Sequence, residues 1–153
     1  MRIRTSFLCA FPLLIGIVGC SGKVVTVDDL AGTWVITEQS KTVLPVDSRK
    51  GAGKLLLRGN GEFIAEEVPG ELLYSPPGVN DTVPTSGAGS WEIRKVDGSP
   101  ALLLTFKAFS RPSGRTAPTA AHILIDNDWR DTVLYFFTGD PDQGGRIDFE
   151  KMK

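Results

Sequence analysis

The sequence predicts an all-β domain of about eight antiparallel strands, closed into an up-and-down barrel. Three observations carry that prediction. Apolar residues come in short runs punctuated by Gly, Pro, Asn and Asp, and no window of useful length has a helical period. The runs number eight and follow one another at hairpin spacing. At that number a closed barrel's interior is either just filled by side chains or holds one small ligand. Finally, 153 residues at 41% hydrophobic supply one core, while 17 Gly and 10 Pro favour turns over long helices. A two-sheet sandwich of the same strands is the alternative. Closure is preferred because it leaves no edge strand to pair with other chains.

The chain opens MRIRTSFLCAFPLLIGIVGC. Arg2 and Arg4 precede a twelve-residue apolar run, residues 7–18, interrupted by Pro12 and Gly16. A membrane-spanning helix needs about 20 apolar residues, so the run reads as the centre of a secretory signal. The tetrapeptide Ile17-Val18-Gly19-Cys20 resembles the bacterial lipobox. The resemblance implies that the Cys20 thiol takes a diacylglyceryl group and that cleavage before it removes residues 1–19. Residues 20–29 are then a lipidated tether and residues 30–153 the domain. Several acyl chains, at about 0.8 kcal/mol per buried methylene, would make attachment effectively permanent. Ser21, where an Asp would resemble an inner-membrane retention signal, favours the outer membrane over the cell membrane. In both cases the domain lies outside the cytoplasm.

The strands follow in order. Residues 30–38 contain Gly32-Thr33-Trp34 and then Val35 and Ile36. Residues 54–58 are Leu-rich, and Gly59-Asn60-Gly61 is a hairpin turn into residues 62–68. Residues 69–88, with Pro69, Pro76, Pro77 and Pro84, read as a long loop with one helical turn at 71–74. Residues 89–96 alternate around Trp91 and Ile93, and Asp97-Gly98 turns the chain into 101–109. A second loop, 110–118, leads to 121–125. Asp126-Asn127-Asp128 turns toward 132–138, and residues 139–145 turn again into 146–152.

The order Gly32-Thr33-Trp34, Gly61-Glu62-Phe63, Gly89-Ser90-Trp91, with Leu55-Leu56-Leu57 and Leu102-Leu103-Leu104 between and after, resembles the bacterial lipocalin-like lipoproteins. The segment from Leu134 to Asp142, followed by Phe149-Glu150-Lys151, is similar to uncharacterised secreted bacterial proteins of this shape. The resemblance implies a lipocalin-like barrel whose mouth holds a small apolar ligand, and it carries no catalytic residues with it. A Trp near a barrel's closed end plugs the core, and a neighbouring Gly permits a tight bend.

Strand alternation assigns an inward set of Trp34, Ile36, Leu55, Leu57, Phe63, Trp91, Ile93, Leu102, Leu104, Phe106, Ile123, Ile125, Tyr135, Phe137, Ile147 and Phe149. Trp34, Trp91, Phe106, Tyr135 and Phe137 are the ligand-binding candidates among them. The same phase leaves Leu103, Leu124, Leu134 and Phe136 facing outward, where Leu72-Leu73-Tyr74 is the expected cover.

Other chemistry finds little support. Removing the leader leaves 15 basic against 18 acidic residues, net −3, so no basic excess attracts nucleic acid. The domain has one histidine, His122, and no cysteine after Cys20, too few ligands for a zinc site. No G-x-S-x-G turn surrounds a serine. Asp126, Asp128 and Asp131, and Asp140, Asp142 and Gly144, fall in turns where such residues are ordinary, and neither set ends in the bidentate Glu of a calcium loop. Gly51-Ala52-Gly53-Lys54 lacks the Ser/Thr of a phosphate loop. Glu66 and Glu67, adjacent in a strand, should point to opposite faces. The expectation is a non-enzymatic envelope lipoprotein, without metal or cofactor, that binds a small apolar ligand. The alternative is a structural or protein-interaction protein, of inhibitor or immunity type, with no small ligand.

Overall fold

The computed structural model describes residues 23–51, 53–72, 83–110, 120–127, 131–140, 142 and 145–153. Eight strands run in sequence: β1 Gly32–Ile36, β2 Lys54–Leu57, β3 Glu62–Val68, β4 Thr85–Val96, β5 Ser99–Ser110, β6 Ala120–Asn127, β7 Thr132–Thr138 and β8 Gly145–Lys151. Each pairs antiparallel with its neighbours in the chain, and β1 pairs with β8 through Trp34↔Lys151, Val35↔Glu150 and Ile36↔Phe149. The sheet therefore closes into an eight-stranded up-and-down barrel, not a sandwich.

The antiparallel order of the strands defines two ends. At one, the turns after β2, β4 and β6 meet the start of β1 and the end of β8. Here the short helix α1, Val27–Leu30, carries a capping box between Thr26 and Asp29 and buries Leu30 completely. The Trp34 indole donates to the Leu30 carbonyl at 2.8 Å, and the Trp91 indole to the Arg58 carbonyl at 3.0 Å. Each ring thus fills the core while its one polar atom is satisfied. Lys151 lies at an inward register position past the last core layer. Its ammonium is 5.7 Å from the Trp34 ring centroid and donates to the Asp29 carbonyl at 3.0 Å. This is the closed end.

The other end receives β3, β5 and β7 and the β1–β2 connection. That connection holds a helix absent from the sequence reading, α2, Glu38–Val43, and a 3-10 turn, Ser48–Lys50. Six residues cannot nucleate a helix alone. α2 exists because it is latched to β8: the Thr37 amide donates to the Asp148 carbonyl at 3.0 Å, and the Asp148 amide to the buried Ser40 hydroxyl at 2.8 Å. After β3, a second 3-10 turn, Gly70–Leu72, reaches the opposite wall and packs on β6 and β7. The Glu71 carboxylate accepts from the buried Ser48 hydroxyl at 3.0 and 3.1 Å, joining the two 3-10 turns across this loop end. Leu44 and Leu72 close the core beneath them.

Two departures from simple alternation matter. Between β3 and β4 the register shifts at Ala65/Val68, and Glu67 takes a left-handed backbone, φ 49°. Glu66 and Glu67 are consequently both exposed rather than on opposite faces. Between β4 and β5 a second shift falls at Ala88/Gly89, where a Cβ on Gly89 would collide with the Thr105 carbonyl oxygen. That glycine in Gly89-Ser90-Trp91 is required by the close approach of two backbones.

Candidate binding surfaces

The barrel interior is lined by the inward side chains of all eight strands. Trp34, Leu55, Leu102, Leu104, Ile123, Leu134, Ile147 and Phe149 have 0% relative exposure, and among the other core residues none exceeds 6%. A void large enough for water would leave accessible surface on the atoms that line it. Phe63 and Phe106 meet edge to face at 4.9 Å within the core. Among the described residues, the interior is packed like any protein core. Trp34, Trp91 and Phe106 lie inside, as read from the sequence, and they touch other side chains there.

Tyr135 and Phe137 do not lie inside. The register Leu134↔Phe149 and Phe136↔Ile147 on β8, with Ile125↔Leu134 on β6, turns Leu134 and Phe136 into the core at 0% and 5% exposure. Tyr135 and Phe137 pair with Asp148 and Arg146 on the outer face. The sequence 133–137 is apolar on both faces, so alternation alone could not set its phase; the pairing with Phe149 and Ile147 does. Of the four residues read as outward, only Leu103 and Leu124 are so placed, both half-buried. Leu72, expected as cover for the outer face, plugs the loop end instead, and Leu73 and Tyr74 lie outside the described residues.

On the outer face, the Arg146 guanidinium carbon stands 3.9 Å from the Tyr135 ring centroid, and Tyr135 and Phe137 meet edge to face at 5.7 Å. Arg146 Nε donates to Asp148 at 2.6 Å and Nη2 to Asp126 at 3.5 Å. Partial burial weakens the Arg146 charge, but the Asp148 bond and the two carboxylates outweigh it and hold the guanidinium more firmly protonated than usual. Beside this cluster an open groove of about 750 Å³ runs along β8 and includes Thr37, Val133, Arg146, Asp148, Glu150 and Met152. Its bases Arg146, Lys151 and Lys153 balance its acids Asp131, Asp148 and Glu150, so it presents no net charge to a ligand.

The remaining candidates are scattered. His122 is exposed on β6 opposite Leu103. Asp126 is tied to Arg146, and the Asp140 carboxylate accepts from the Asp142 amide at 3.0 Å, an ordinary Asx turn. Asp128 and Gly144 lie outside the described residues. Among the described residues no three His, Cys, Asp or Glu side chains converge as metal ligands, and no helix is long and apolar enough to cross a membrane. Cys20 and the leader also lie outside them. Comparison with family models, with curated proteins and with solved structures gives no match.

Proposed function

We propose that this chain is a lipid-anchored envelope lipoprotein whose barrel is a solid, non-enzymatic scaffold that acts by contacting other proteins. The packing of the described core carries the reading: its buried apolar side chains, Trp34, Trp91 and Phe106 among them, have between 0% and 6% exposure and pack on one another. A carrier of small apolar molecules needs a pocket of about 300–1,000 Å³ that encloses most of the ligand. Binding is left to the outer face and to the loop end. The basic start, short apolar run and lipobox-like ending at Cys20 support the anchor. The three G-x-aromatic motifs, similar to those of bacterial lipocalin-like lipoproteins, support a lipocalin-like scaffold.

The experiment is a titration of the mature domain with a fluorescent fatty acid and with a naphthylamine probe, alongside native mass spectrometry of protein purified from membranes. The expected result is no saturable binding and the mass of the lipidated chain alone. A stoichiometric apolar ligand, carried through purification, would overturn the scaffold reading in favour of a carrier.

A further inference from the structure

We propose that the closed end of the barrel rests on the membrane's headgroups and that the loop end points away; this builds on the lipid anchor at Cys20 proposed above. The observation behind it is how early the chain is fixed to the barrel. The Lys23 carbonyl accepts from Asn127 Nδ2 at 2.8 Å, and Lys23 Nζ meets the Asp29 carboxylate at 2.6 Å. Asn127 ends β6 at the closed end, and its side-chain oxygen accepts from the Thr132 hydroxyl at 2.9 Å, which fixes the amide that holds Lys23. Asp29 is itself locked by the Thr26 capping box and, through its carbonyl, by Lys151. From Lys23 onward the chain belongs to the barrel, and residues 20–22 alone connect it to the acylated sulfur.

Three residues at full extension reach roughly 10 Å. The headgroup layer of one leaflet is about 6 Å thick. A connection that short brings the closed end down to the headgroups and leaves no free leash. Strands β7 and β8 are seven residues long. At about 3.3 Å per residue, and allowing for tilt, the loop end stands on the order of 15–20 Å farther out. The two 3-10 turns, α2 and the ends of β3, β5 and β7 therefore face the compartment, where a protein partner would meet them.

The test uses the full lipidated chain in phosphatidylethanolamine–phosphatidylglycerol vesicles. The mature chain has no cysteine besides the acylated Cys20, so single-cysteine variants can be labelled cleanly. Lys95→Cys, exposed near the end of β4, reports on the closed end, and Val46→Cys, 67% exposed after α2, on the loop end. With a nitroxide on the lipid headgroup, the Lys95→Cys label should be quenched at least twofold more than the Val46→Cys label. Inserting ten Gly/Ser residues between Gly22 and Lys23 should erase the difference. Equal quenching of the two labels in membrane-bound protein, or greater quenching at Val46→Cys, overturns the orientation and leaves the anchor standing. Protein that stays soluble overturns the anchor, and the orientation with it.

Discussion

Phe136 and Phe137 are adjacent, chemically identical, and opposite in role. Phe136 is 5% exposed against Phe149, at 6.1 Å between ring centroids, while Phe137 stands outside against Tyr135. Phe136→Ala should therefore cost about 3–5 kcal/mol through the cavity it opens. Phe137→Ala, losing only half-buried contacts, should cost on the order of 1 kcal/mol. Urea unfolding of the two variants reads the difference, and equal losses would mean that β7 is out of phase with β8. The same residues show where sequence reasoning ends. Trp34 and Trp91 were legible because a Trp beside a Gly in an otherwise alternating strand has one plausible place, facing the core. Residues 133–137 offered two equally apolar faces, and only the pairing of Leu134 with Phe149 chooses between them.

At the scale of elements, the strands were legible, as was the helical turn after β3, observed at Gly70–Leu72, while α1, α2 and the 3-10 turn at Ser48–Lys50 were not. The eight runs of the sequence overlap the eight observed strands because each is bounded by turn residues with a fixed geometric task, such as Gly61 at φ 82° after Asn60, although β4 begins at Thr85, inside the segment 69–88 read as a loop. α2 has no comparable local signal; its stability comes from β8, more than a hundred residues away in the chain. Ser40→Ala removes the hydroxyl that accepts from the Asp148 amide and leaves that part-buried donor unpaired. A loss of about 1–3 kcal/mol is expected, with faster amide exchange along α2. A Ser40→Ala variant as stable as the parent would show that α2 does not depend on this latch. α1 is sealed differently. The Asp29 carboxylate is held well below its usual range first by its bond with Lys23 and then by the Thr26 hydroxyl and amide. A depressed folded value adds stability above the unfolded carboxylate range, near pH 4, and loses it only as pH falls through the folded value. Exchange protection of residues 26–31 should thus be unchanged from pH 8 to pH 5 and fall only in stronger acid. Fraying already at pH 6 would contradict the clamp.

At the scale of the whole molecule, the described residues from Leu30 to Phe149 build a single core of their own. Every strand has a partner on each side, so among the described residues no whole strand is left as an edge for another chain to extend. The closed end is completed by Leu30, Trp34 and Trp91 from the domain itself, with Lys151 laid over the outermost ring. No disulfide contributes to that packing, since no cysteine follows Cys20. Cys20→Ala should accordingly abolish labelling by radioactive palmitate and release the chain from the membrane fraction, or leave it unprocessed. The barrel obtained without its lipid should still unfold cooperatively, with the same midpoint in the presence and absence of reductant. Palmitate on the Cys20→Ala variant would remove the anchor from Cys20. A large fall in midpoint on delipidation would mean instead that the acyl chains fill part of the core, which the complete burial of Trp34 and Leu30 by protein atoms argues against.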